Sequence, residues 1–287
     1  MKLVSLLASD GPALGLVKDN GVVNLNTLLP KLPRTMKKLL QVSGSSPGEI
    51  IPKDVTGRTT RLDDIRLLPV IPDPGKIICI GRNYAAHARE GGAEPLDYPD
   101  IFMRGATSLT AHNSAIICPN CSTKLDYEAE LVLVIGRNAR HVSEANALNY
   151  VAGYSIFNEG SVRDYQRRAT QWTPGKNFDR TGAFGPALVT PDELPKAMAG
   201  VRIQTRLNGE TMQDANTNDL IFSIPRLIAI LSEVMTLEPG DVVVTGTPEG
   251  VGHARRPPVW MKPGDHVEVE IDGLGILKNV IKAENTL

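Results

Sequence analysis

Residues 125–136 read LDYEAELVLVIG, and this run constrains the fold more than any other stretch of the chain. Its second half is an unbroken apolar segment with turn residues beyond it, so a strand entering the core is expected here. Residues two apart on a strand share a face, which sets Glu128 and Glu130 side by side, roughly 7 Å apart along the strand. Carboxylates that close repel unless something positive lies between them. Either the face is wet and each Glu is an ordinary surface residue, or a cation sits on the pair. Both readings stand at this point.

The chain has 287 residues, enough for one large domain or a large one plus a small one. Lys and Arg number 31 against 32 Asp and Glu, a net charge of −1. That balance gives no electrostatic footprint for nucleic acid or an anionic membrane. Apolar stretches such as Leu131 to Ile135 and Leu227 to Leu231 are far too short to span a bilayer. The start, MKLVSLLASDG, reads as a first strand and turn rather than a signal peptide. Three cysteines in this length argue for a reducing compartment, so a cytoplasmic protein is expected.

Residues 1–70 are expected to form a small N-terminal α/β domain, and residues 71–287 the catalytic one. Lys2 to Leu7, Leu14 to Lys18 and Val22 to Leu25 read as short strands, with Asp10-Gly11 and Asn20-Gly21 as turns. A helical stretch, Arg34 to Gln41, precedes a Ser/Gly/Pro-rich connector over 43–59. Beyond Leu67 the texture is strand-rich and mixed α+β, without the regular strand–helix alternation of a doubly wound sheet. KIICIG (76–81) reads as a buried strand, and RNYAAHARE (82–90) as one or two helical turns with Asn83 as N-cap. The clearest helix lies within 223–241, where Pro225 suits the first turn, Leu227, Ile228, Leu231 and Val234 form an apolar stripe, and Pro239-Gly240 stops it. DVVVTGTPEG (241–250) is a strand running into a Gly-rich turn, and 264–281 is a hairpin around Asp272-Gly273.

A strand from Tyr154 to Phe157 delivers Asn158 and Glu159 to a loop start. Glu128, Glu130 and Glu159 together make an all-oxygen, anionic set that suits Mg²⁺ or Mn²⁺, with Ca²⁺ also possible; zinc favours His or Cys. His87 and Glu90 are three apart on one helical face, where a carboxylate orients an imidazole for general-base work, or where the pair is only a surface pair. Lys176 lies in a turn-rich segment and suits an oxyanion beside a metal, or is merely solvated. TGTPEGVG (245–252) lacks the ending of a phosphate loop. CPNC (118–121) leaves only Cys79 over, which rules out a four-thiolate site, and His112, His141, His253 and His266 show no metal spacing.

In this order, GRNYAAHARE, LDYEAELVLVIG, GYSIFNEGSVRDYQRR, GKNFDRTGAFGPAL and RLNGETMQDANTNDLIFSIPRLIAILSEVMTLEPGDVVVTGTPEGVG resemble the fumarylacetoacetate hydrolase family over residues 70–285. The resemblance implies a rolled mixed β-structure, a homodimer, and a divalent metal on Glu128, Glu130 and Glu159. It departs at Glu159, where Asp is commoner, and at Arg104, where Lys is commoner. It further implies His87 and Glu90 as the water-activating pair, and Arg163, Gln166, Lys176 and Thr247 as groups holding the substrate's carboxylate and oxo oxygens. Asp164 is expected to brace Arg163. The expected activity is hydrolysis of a C–C bond in an acylpyruvate-type or other 1,3-diketo acid from aromatic-compound breakdown. The alternative is an isomerase or decarboxylase of a 2-oxo or 2-hydroxy-diene diacid through the same enolate.

Overall fold

The computed structural model describes residues 1–18, 21–52, 54–90 and 97–284. Two sheets carry the architecture. Among the described residues the larger has eleven strands, and from its middle to one edge it runs Gly182–Val189, Val151–Glu159, Ala129–Ile135, Val242–Val244, Ile77–Gly81 and Asp100–Arg104. The smaller has five: Glu210–Asn216, Arg202–Leu207, His266–Ile271, Gly275–Ala283 and Ile116–Cys118. Most neighbours are antiparallel, but Val242–Val244 pairs parallel with Ile77–Gly81, and Gly275–Ala283 parallel with Ile116–Cys118. This is the strand-rich mixed fold expected from the sequence.

The Ala129–Ile135 strand explains where the core lies. All seven of its residues are buried. Alternate side chains divide between two apolar clusters, Leu131, Leu133 and Ile135 in one and Val132 and Val134 in the other, as a period of two demands when both faces are covered. Glu128 and Glu130 belong to the face of Val132 and Val134, so the candidate site lies where that apolar face ends in charge.

Residues before Val70 extend the large sheet. Lys2–Ala8 pairs antiparallel with Gly182–Val189 through Lys2↔Val189 and Leu3↔Leu188. Leu3, Leu14, Leu16 and Val23 pack in the same cluster as Val132, Phe157 and Val244. Asn20 lies outside the described residues, but the flanking pair Lys18↔Gly21 closes the expected hairpin. The early helix spans Met36–Ser43, capped by the Thr35 hydroxyl on the Lys38 amide. Among the described residues no helix is long and apolar enough to cross a membrane.

Three local expectations change. The late helix spans Ile224–Val234, with the Ser223 hydroxyl accepting from the Arg226 amide. It stops because Met235 turns extended, before Pro239-Gly240, and Val234 is 56% exposed rather than part of the buried stripe. The Val151–Glu159 strand includes Asn158 and Glu159, so the third glutamate is a strand residue rather than the start of a loop.

Asn83 does not cap its helix, which begins at Ala85. Its fully buried side chain donates to Phe222 O (3.1 Å) and Thr245 O (2.8 Å), and accepts from the Phe222 amide (2.7 Å). One amide thereby joins three segments that meet at the site. Truncation orphans buried backbone groups, so Asn83→Ala is expected to lower stability by roughly 1–3 kcal/mol. Urea unfolding checks this, and an unchanged midpoint would contradict the cross-link.

Candidate active site

The three glutamates converge through strand register. Ala129–Ile135 and Val151–Glu159 are antiparallel, with Glu130 opposite Phe157 and the Glu159 amide donating to Glu128 O at 2.9 Å. Residues opposite each other on paired strands point to one face. Glu128, Glu130 and Glu159 therefore share a face across two strands, and candidate ligand oxygens from each lie within 4.8 Å of one another. All three are buried, which removes the reading of a wet surface.

Buried cations offset that concentration of negative charge. Lys176, from the single helical turn Thr173–Lys176, donates to Glu128 Oε2 (2.5 Å) and Glu159 Oε2 (2.7 Å). Arg163 Nη2 lies 2.6 Å from Glu128 Oε1, while its Nε donates to Asp126 Oδ2 at 2.8 Å and its Nη1 to Gln166 Oε1 at 2.9 Å. Arg104 sits 3.8 Å from Glu159 Oε1 and is fixed by Ser108 Oγ, Gly160 O and Thr181 Oγ1. Burial alone raises a carboxyl, but Arg163 and Lys176 outweigh it at Glu128 and hold that group well below the usual range. Glu130 goes the other way: burial, and then the charges of Glu159 and Glu128, push it well up. Lys176 is raised, because Glu128 and Glu159 overcome the burial that would lower it.

The Gly-rich turn after Val242–Val244 supplies the remaining support. Gly246 N–H donates to Glu130 Oε2 (2.5 Å), Gly250 N–H to Glu90 Oε1 (3.0 Å) and Gly252 N–H to Asp126 Oδ1 (2.8 Å). Gly246 and Gly250 have φ of +104° and +93°, a region that suits only glycine. A Cβ at Gly250 would also lie 2.3 Å from Met212 O. His87 Nδ1 faces Glu90 Oε2 at 3.2 Å, so one Glu90 oxygen orients the ring and the other is tied to the turn. Gln213, from the small sheet, reaches across to Thr247 Oγ1 (2.8 Å) and Pro248 O (2.9 Å), while its Oε1 accepts from the Ala129 amide (2.9 Å). His87, Glu90, Arg163, Gln166, Lys176 and Thr247 line one cavity of about 220 Å³ with the three glutamates.

Asp164 does not brace Arg163. It accepts from Ser122 Oγ at 2.7 Å, and Asp126 takes the bracing role because it lies across the Leu125–Asp126 and Ser161–Val162 pairing. Asp126 and Gln213 carry no signal of their own in the sequence, since their partners are distant in the chain. The glycine spacing of TGTPEGVG was the visible sign of backbone amides serving anions, although the anions are the protein's own carboxylates.

The donor set at the three glutamates is carboxylate oxygen throughout, which fits a hard divalent cation. Glu159 Oε1 is buried and has no hydrogen-bond partner among the described residues, leaving a ligand atom available. Glu130→Gln is expected to weaken Mg²⁺ or Mn²⁺ binding by at least the roughly tenfold that even disturbed ligand support causes. Isothermal titration with each ion measures it, and unchanged affinity would refute the site.

The chain is similar over nearly its whole length to known proteins. The profile described as fumarylacetoacetate (FAA) hydrolase C-terminal matches residues 76–282. A mitochondrial oxaloacetate tautomerase of Bos taurus is 38% identical over 289 residues, covering 98% of this chain and 91% of that one. The solved fumarylacetoacetate hydrolase of Exiguobacterium antarcticum superposes with a TM-score of 0.86 at 32% identity, covering 99% of this chain and 100% of that one. A 2-hydroxyhepta-2,4-diene-1,7-dioate isomerase of Mycobacterium marinum gives 0.77 at 31% identity, with 100% of both chains covered. With tautomerase, hydrolase and isomerase all sharing its length and the profile spanning its site, the chain belongs to the fumarylacetoacetate hydrolase family of enzymes.

Proposed function

We propose that the protein interconverts the enol and keto forms of a short 2-oxo dicarboxylic acid, with oxaloacetate as the best-supported substrate. The observation that carries this reading is a cavity of only about 220 Å³ holding both the acidic triad and the His87–Glu90 pair. Pockets that bury drug-sized ligands run to roughly 300–1,000 Å³, and a four-carbon acid fits within this smaller space. The bovine tautomerase, similar over 98% of this chain, supports the same choice.

Glu128, Glu130 and Glu159 would hold a divalent cation, proposed as Mg²⁺ or Mn²⁺, and that ion would supply Lewis acidity for enolising a 2-oxo acid. Lys176 spends two of its three N–H donors on Glu128 and Glu159, which leaves one for the substrate. Thr247 Oγ1 accepts from Gln213, so its own proton is free to donate into the cavity. Arg163 is stiffened by Asp126, Glu128 and Gln166 and can meet the substrate carboxylate without reorganising. His87, held at Nδ1 by Glu90, takes the proton from C3 with its other ring nitrogen. The C3–H electron pair becomes the second C2–C3 bond while the C2–O π pair moves onto the oxygen, which then receives the proton back from His87. No proton is gained or lost overall, and no water is consumed.

Hydrolysis is the second reading. The same oriented imidazole could deprotonate a water that attacks a neighbouring carbonyl. His87→Ala is expected to lose tautomerisation by about 10² to 10⁴-fold with metal affinity unchanged. Decay of enol absorbance, and C–C cleavage of acylpyruvates followed side by side, distinguish the two. Full tautomerase activity in His87→Ala would overturn its role, and faster cleavage than tautomerisation in the wild type would install the hydrolase reading.

A further inference from the structure

One wall of the cavity is aromatic. Phe102, on the Asp100–Arg104 strand, and Trp172, which precedes the Thr173–Lys176 turn, both line it. Their rings meet edge to face, with centroids 5.4 Å apart and planes at 66°. Lys176 Nζ stands over the Phe102 ring, 5.1 Å from its centroid. The wall therefore begins at the ammonium that bonds Glu128 and Glu159, crosses Phe102 and ends at the indole.

The indole is held from several sides. Gly81, the last residue of the Ile77–Gly81 strand, lies against it, and a Cβ there would fall 2.7 Å from Trp172 Cη2. That is closer than carbon atoms pack, so glycine at this position leaves the room that the ring fills. The Arg82 guanidinium sits 6.0 Å from the indole centroid and is itself fixed by Asp100 at 2.6 Å. The Trp172 carbonyl accepts from the Gly175 amide at 2.9 Å, which ties down the backbone as well. To swing aside for a larger ligand, the indole would have to give up strand, ring and arginine together.

We infer that Trp172 is the specificity-determining wall of this cavity, closing it to 2-oxo acids that carry an aryl ring or a long acyl chain on C3. A substrate whose oxygens are held beside Lys176 runs along the Phe102 face, and the carbons beyond C2 point toward the indole. A compact C3 substituent stops short of the ring, and a bulky one collides with it. Apolar pockets of fixed shape discriminate by about 10–200-fold for as little as one methylene. The assignment rests on the cavity being a 2-oxo acid site.

Lactate and 3-phenyllactate differ by a ring on C3. The proposed reaction consumes neither, because each has a hydroxyl where the substrate has its 2-oxo group. Titrated calorimetrically against the Mg²⁺-loaded protein, lactate is expected to bind at least about tenfold tighter than 3-phenyllactate. Trp172→Ala should abolish that preference by strengthening 3-phenyllactate binding, with lactate affinity unchanged. Trp172→Phe keeps a ring against Gly81 and Phe102, so it should fold as the wild type does and show an intermediate preference. A gain of binding separates a wall from a packing residue, whose loss would weaken both acids. Equal or tighter binding of 3-phenyllactate to the wild type, an unaltered preference in both variants, or an equal loss of both acids overturns the wall and leaves the proposed reaction standing. If neither acid binds any of the three proteins, the 2-oxo acid reading falls and the wall falls with it.

Discussion

Three carboxylates with oxygens within 4.8 Å of one another, buried from water, repel strongly, and the structure around them is organised to hold them there. Lys176, Arg163 and Arg104 approach from different elements, and Gly246 N–H terminates on Glu130. Three of those groups are themselves fixed by buried partners. Arg163 leans on Asp126, Arg104 on Thr181 and Gly160, and the glycine turn on Asn83 and Gln213. Breaking one support would leave an uncompensated buried charge, which costs far more than an intact buried pair contributes.

The same constraint links fold to chemistry. Rigid strands set the acids, while the His87–Glu90 pair comes from a short helix and is tied back by Gly250 N–H. The small sheet reaches the site through Gln213, which contacts both the Ala129 amide and Thr247. A displacement between the sheets would therefore move an amide flanked by Glu128 and Glu130 together with a hydroxyl lining the cavity. Preorganisation of this kind is what a proton transfer at carbon requires, since the donors must already face the charge as it develops.

Local pattern made much of this legible in the sequence. The alternation in EAELVLVI placed Glu128 and Glu130 on one face, and the three-residue spacing of His87 and Glu90 placed them on another. Ordered motifs then supplied Arg163, Gln166 and Thr247 by resemblance, and these line the same cavity as Glu159 and Lys176. Pairing between distant strands was not legible. Nothing local says that Glu159 lies across from Glu128, that Asp126 rather than Asp164 braces Arg163, or that Asn83 serves Phe222 and Thr245 instead of its own helix.

Strand register brings Glu128, Glu130 and Glu159 together as one candidate cation site. Anomalous diffraction from crystals grown with Mn²⁺ tests it most directly. A single peak roughly 2.0–2.6 Å from an oxygen of each of the three carboxylates is the predicted result. A peak elsewhere, or one that any of the three glutamates fails to touch, would contradict it.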